Sequence, residues 1–191
     1  MNILLIYGTT EGQTRKIAEF IKPELEKAGH VVTLCDATNQ PLGPEGFDAV
    51  FIAGSLHTGR YQTPVYNYIQ KHQAVLNQLH SAFISVSLTA ADDDVEEWKN
   101  LRQITDKFLS ACHWKPCNVE YVAGALLFTE YDYFKKVMMR TIAKKRGGDA
   151  SHDTEYTDWD KLREFLKKFM SEWTPAPQTV RAPETDQEAV A

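Results

Sequence analysis

Residues 2–14 read Asn-Ile-Leu-Leu-Ile-Tyr-Gly-Thr-Thr-Glu-Gly-Gln-Thr. A nearly all-apolar run, 2–7, passes straight into a loop of glycines and threonines, 8–14, and then into a helical pattern over 12–28. A strand this apolar has no solvated face. It is buried on both sides, which points to a parallel sheet covered by helices. The following helix carries Ile17, Phe20, Ile21 and Leu25 on one stripe. Pro23 within that pattern predicts a kink or a split. Gly29 predicts the C-terminal stop.

Further strand-like runs at 31–35, 48–53, 82–88 and 119–128 alternate with helices predicted over 64–76 and 95–111 and a Pro/Gly loop over 39–46. Alternating elements with right-handed crossovers give a doubly wound α/β fold, whose five-stranded form has the order 2-1-3-4-5. Residues 129–156 do not fit the alternation and read as an insertion with a helix over 131–146, stopped by Gly147 and Gly148. The last helix is expected over 157–173, where Thr157 and Asp160 have capping-box spacing. The tail, 174–191, has three prolines and no apolar period, and is expected to be disordered. One domain over 1–173 is the predicted organisation.

The chain has 191 residues, 43% of them hydrophobic, with 21 Lys+Arg against 26 Asp+Glu and a net charge of −5. Such a chain can bury a core without disulfide or metal staples, and its composition excludes fibrous or wholly disordered classes. The acidic total argues against a nucleic-acid binder. The longest apolar run, about 121–128, falls short of the ~18 residues of a membrane span. The N-terminus is strand-like and has no signal pattern. Cys35, Cys112 and Cys117 form neither a disulfide framework nor a zinc pattern, so a cytoplasmic compartment and no metal are expected. Cys35 reads as a packed core residue.

In an open parallel sheet, ligands bind at the carboxyl ends of the strands near the switch point. The loop 8–14 suits a phosphate there. Helix-start N–H groups lack intrahelical partners, the helix dipole favours an anion, and Thr9, Thr10 and Thr14 supply hydroxyls. The spacing of Gly8 and Gly12 is not G-x-G-x-x-G, and no G-K-[ST] follows, so dinucleotide and ATPase-type loops are set aside. A small monophosphate remains. A tight βα turn with a threonine N-cap would read the same way.

Tyr7 to Thr14 resembles the FMN phosphate loop of flavodoxins, [ST]-x-[ST]-G-x-[ST], with Glu11 where a third hydroxyl is common. The resemblance implies a flavodoxin-like three-layer sandwich and FMN held by Thr9, Thr10, Gly12, Gln13 and Thr14, with Glu11 contributing only its backbone N–H. It also implies flavin contacts from Ser55, Leu56, His57, Thr58, Gly59 and Tyr61, with Tyr61 either stacked on the ring or packed locally. Ser87, Leu88 and Thr89 would offer backbone groups. His57 and Arg60 are the candidates for a place near the anionic edge of reduced flavin; no fixed catalytic base stands out.

Between 128 and 148 lie six bases against two acids, including Lys135, Lys136, Arg140 and Lys144, interleaved with Phe134, Val137, Met138 and Ile142. A basic amphipathic helix can lie on an anionic membrane surface, dock a partner, or simply cover its own sheet. The landmarks Tyr-Val-Ala-Gly-Ala-Leu at 121–126, Gly-Gly-Asp at 147–149 and Tyr-Thr-Asp-Trp at 156–159 are similar to the bacterial quinone-dependent protoporphyrinogen IX dehydrogenases. That resemblance covers about 2–172. It implies an FMN enzyme of haem biosynthesis, with a porphyrinogen as substrate, a quinone as acceptor, and peripheral contact with the inner face of the cell membrane. Arg60, Lys135, Lys136 and Arg140 would pair with propionates, and Lys144 would join the substrate or membrane contact. A flavodoxin-type electron carrier and an NAD(P)H-dependent quinone reductase are the alternatives on the same fold.

Overall fold

The computed structural model describes residues 1–126 and 154–173. The elements are β1 (Asn2–Gly8), α1 (Gln13–Lys27), β2 (Val31–Asp36), β3 (Ala49–Ser55), α2 (Thr63–Leu76), β4 (His80–Ser87), a 3₁₀ turn (Leu88–Ala91), α3 (Val95–Ala111), β5 (Asn118–Ala123), β6 (Ala125–Leu126), β7 (Thr154–Glu155) and α4 (Trp159–Glu172). Strands β1 to β5 form one parallel sheet in the order β2-β1-β3-β4-β5. Among the described residues no helix is long and apolar enough to cross a membrane.

Strand alternation divides the core in two. Ile3, Leu5, Phe51 and Ile84 face α1 and α4, and pack with Ile17, Ile21, Leu162 and Phe169. Leu4, Ile6, Ile52 and Phe83 face α2 and α3, and pack with Val65, Ile69, Leu109 and Trp114. Each such side chain contributes about 1.5–3 kcal/mol by leaving water. The central strands β1, β3 and β4 are therefore buried on both faces. Strands β2 and β5 are edges and are more exposed. Cys35, expected in the core, is only half-buried because β2 is an edge strand.

Three local expectations change. Pro23 does not split the helix pattern: α1 is continuous, with Pro23 on its exposed side and Ile17, Ala18, Ile21 and Leu25 buried against the sheet. It ends as expected at Gly29 (φ 88°), with His30 N–H donating to Leu25 O and Gly29 N–H to Glu26 O. The run 119–128 is not one strand. It leaves the parallel ladder at Gly124, and Ala125–Leu126 pairs antiparallel with Thr154–Glu155. An apolar run reports burial and says nothing of its pairing partner. Finally, Asp158, not Thr157, caps the last helix, accepting from Lys161 N–H at 3.0 Å; the Thr157 hydroxyl donates to Ala123 O at 2.7 Å. The helix expected over 131–146 and the tail 174–191 lie outside the described residues.

Gly8 and Gly54 are partners in the β1–β3 register. A Cβ on Gly8 would collide with Val65 Cγ2, and one on Gly54 would come within 3.3 Å of Tyr61. The start of α2 thus sits directly on these two strand ends. Gly8→Ala should cost about 1–3 kcal/mol by overpacking. Urea unfolding should show that loss, and Val65→Ala in the same chain should recover part of it. An additive double variant would disprove the contact.

Candidate functional site

Three loops meet at the carboxyl ends of β1, β3 and β4. The first precedes α1. Its N-cap, Gly12, has φ 90° and no side-chain cap, and the first helical turn carries no acid. Such a helix start attracts an anion through its N–H groups and its dipole. Thr9 Oγ1 accepts from Gly12 N–H at 2.8 Å, and Thr10 Oγ1 accepts from Gln62 Nε2 at 3.1 Å. A hydroxyl used as an acceptor still has its own proton to donate. Thr14 is fully buried, and its hydroxyl finds no hydrogen-bond partner among the described residues. Leaving such a group unpaired costs on the order of 1–3 kcal/mol. A phosphate oxygen over the helix start would satisfy it, so these residues fit a phosphate.

Glu11 is engaged by His57, with Oε1 at 3.0 Å from Nε2. The carboxylate beside the expected phosphate thus has a partner on the second loop. There, His57 and Arg60 exchange both backbone hydrogen bonds, at 2.8 and 2.9 Å, around Thr58 (φ 46°) and Gly59 (φ 77°). Two positive φ values in a two-residue hairpin are the type I′ pattern. Thr58 is β-branched and strained there.

Gln62 escaped the sequence reading. Its Oε1 accepts from Ser55 N–H at 3.1 Å, while Nε2 donates to Thr10 Oγ1 and to Ser55 Oγ. One side chain therefore ties the first loop to the end of β3. The available signal was its position: Gln62 is the N-cap of α2 yet makes no side-chain cap, and glutamine is not a preferred cap.

Tyr61 requires a correction. Stacking on a bound ring needs an open face, but Tyr61 is 8% exposed. Its hydroxyl is held between Ser85 Oγ (2.7 Å) and Thr105 Oγ1 (2.8 Å), and its ring packs on Phe83 and Phe108. Burial pushes its pKa up to about 12. Local packing has prevailed because a phenol with two hydroxyl partners can be buried without cost to its polar end. The third loop is the 3₁₀ turn, where Ser87 Oγ accepts from Ala90 N–H at 3.3 Å and Leu88 and Thr89 are half-buried. Asp94 then caps α3.

The roots of the 129–156 insertion are fastened to this site. Gln13 Nε2 donates to Glu155 Oε1 (2.8 Å) and Thr157 Oγ1 (2.9 Å), and Lys16 Nζ reaches both Glu155 oxygens. Lys16 foremost, then Gln13, hold the Glu155 carboxyl below its usual range. Lys135, Lys136, Arg140 and Lys144 lie outside the described residues. Beside the 3₁₀ turn, a cavity of about 330 Å³ includes Glu120 and Lys161, whose charged atoms are 3.6 Å apart. Burial raises the Glu120 carboxyl, against the pull of Lys161. No cluster of His, Cys, Asp and Glu among the described residues is built to hold a metal ion.

Residues 4–155 match the family described as Flavodoxin domain. The chain is 30% identical over 173 residues to the protoporphyrinogen IX dehydrogenase (quinone) of Escherichia coli (strain K12), covering 88% of this chain and 94% of that protein. It is 32% identical over 172 residues to the protein of the same name from Leishmania major, covering 87% and 73%. Among solved structures, oxidised flavodoxins 1 and 2 from Bacillus cereus superpose with TM-scores of 0.56 and 0.54. Both cover 91% of this chain and all of theirs, at 12% and 15% identity, a likeness of fold.

Two outcomes follow from this geometry. Thr14→Val should make the ligand-free protein about 1 kcal/mol more stable, since it removes an unpaired buried hydroxyl; a clear loss on chemical unfolding would mean that the hydroxyl is satisfied. Glu120→Gln should stabilise near neutral pH. The raised folded-state pKa means that the unfolded chain loses its proton first as pH rises, so wild-type stability falls through that window and stays lowered above it. Below the ordinary carboxylate range the two proteins should unfold alike. A gain that is independent of pH would refute this origin.

Proposed function

The chain belongs to the flavodoxin-domain family, in the group that bears the name protoporphyrinogen IX dehydrogenase (quinone), and from that premise we propose that it oxidises a porphyrinogen with FMN as cofactor and a quinone as acceptor. The observation that carries this reading is the similarity running through 88% of the chain and 94% of the bacterial relative. The FMN assignment is supported by the buried Thr14 hydroxyl without a partner at the uncapped start of α1.

When bound, FMN supplies the two-electron chemistry. The residues of the chain do the rest. Thr9, Thr10 and Thr14, with the first-turn N–H groups, would hold the phosphate. Gln62 keeps Thr10 and Ser55 in fixed relation. The His57–Arg60 turn would flank the ring, its position set by its own paired backbone hydrogen bonds. His57 engages Glu11 and keeps that carboxylate occupied beside the anion. In this reading residues 1–173 form one flavin-binding domain, and the basic stretch 128–148 meets the membrane surface or the substrate.

Oxidation of protoporphyrinogen IX, followed by porphyrin fluorescence, tests the reading. Growth of fluorescence that requires both FMN and a menaquinone analogue is expected. A yellow, reducible protein that leaves protoporphyrinogen untouched would favour an electron carrier. Steady NADPH oxidation without a separate reductase would favour a quinone reductase. Thr14→Val should weaken FMN binding about 10-fold, a loss of about 1.4 kcal/mol typical of one hydrogen bond to a charged oxygen; unchanged affinity would remove Thr14 from the phosphate site.

A further inference from the structure

Between the start of α2 and the second half of α3 lies a cavity of about 500 Å³, lined also by Gly59 and Arg60 of the hairpin turn. Tyr66, Ile104 and Phe108 form its apolar wall, with Tyr61 buried behind them. The rings of Tyr66 and Phe108 lie 6.4 Å apart, inclined at 57°. Arg60 and Lys107 are exposed at its mouth. Neither is ion-paired to a carboxylate among the described residues, although most of the other bases there are. The described lining contains no Asp, Glu, Asn or Gln. In a protein of net charge −5, two unpaired cations over an aromatic wall mark a place for an amphipathic anion. Guanidinium and ammonium groups would take its carboxylates, and the rings its apolar body.

Size and connection narrow the occupant. Small-molecule sites span roughly 300–1,000 Å³, and at about 500 Å³ this cavity is large enough to receive the flat edge of a tetrapyrrole. Arg60 makes the link: its backbone closes the turn beside the strand-end loops, and its side chain lines the cavity. A ligand anchored here by one edge can extend across the turn toward the phosphate-loop side.

We propose that this cavity is the anchoring subsite for the carboxylate-bearing edge of the substrate, with Arg60 and Lys107 pairing with its carboxylates and Tyr66, Ile104 and Phe108 receiving its apolar edge. This rests on the porphyrinogen reading above. It extends that reading to Lys107, which no motif marks.

The test titrates FMN-loaded full-length protein with protoporphyrin IX and with its dimethyl ester, which keeps the ring and removes the charge. It compares wild type with Arg60→Gln and Lys107→Gln, and measures kcat and KM for protoporphyrinogen on the same proteins. The free acid should bind about 10-fold more tightly than the diester. Each variant should weaken the acid alone by about 3- to 10-fold, modest because both cations are exposed. The preference should shrink as salt is raised. In Lys107→Gln, which lies away from the turn that would flank the flavin, KM should rise by the same factor with kcat unchanged, and Arg60→Lys and Lys107→Arg should recover part of the lost binding. Equal binding of acid and diester, or equal losses for both, would overturn the anchor. So would displacement of the porphyrin by NADPH that disappears in the same variants. Normal oxidation with KM unmoved in both variants would overturn the anchor and leave the dehydrogenase reading standing. Charge-selective binding without any oxidation would overturn the dehydrogenase reading and retain the cavity as a site for an aromatic dicarboxylate.

Discussion

Gly8 and Gly54 stand side by side where β1 and β3 end, and the two missing Cβ atoms let the chain entering α2 come down onto the strands. The contact sets how closely α2 approaches the carboxyl ends of the strands. With it, Gln62 is close enough to hold Thr10 and Ser55 together, and Tyr61 can drop beneath the His57–Arg60 turn into the core. A bulkier residue at Gly8 would push against Val65 of α2, and one at Gly54 would crowd the Tyr61 ring.

From that reference the polar groups sort by the partners they find. Thr9 and Thr10 serve as acceptors for Gly12 and Gln62, Glu11 is matched by His57, and Thr14 has no partner among the described residues. An unpaired buried hydroxyl lowers the stability of the empty protein, and an anion bound there would offset it. Under the proposed reading, affinity for the ligand and stability without it would therefore be opposed at this residue.

The fold was legible because its signal is redundant. Three central strands buried on both faces, helices at the right period and short connections all select one sheet order. The loop 8–14 stood out because hydroxyls before a helix start serve either as caps or as donors to an anion, and the sequence alone does not choose between them. Less accessible were features made by tertiary proximity. The role of Gln62 depends on a residue fifty-two positions away in sequence. Tyr61 was ambiguous because an aromatic at the end of a turn can point toward solvent or core, and only Ser85 and Thr105 decide it. The break at Gly124 was hidden because an apolar strand looks the same whether its neighbour runs parallel or antiparallel. Lys107 belongs to an ordinary helical surface until α2 is placed opposite.

The antiparallel clasp of β6 and β7 has a consequence for chain length. Because Ala125–Leu126 and Thr154–Glu155 pair with each other, and Lys16 and Gln13 grip Glu155 from outside the clasp, the segment between them begins and ends at one point on the domain. A change in the number of residues between 126 and 154 therefore leaves the register of the parallel sheet untouched, whereas one residue added within β5 would shift every side chain beyond it to the opposite face.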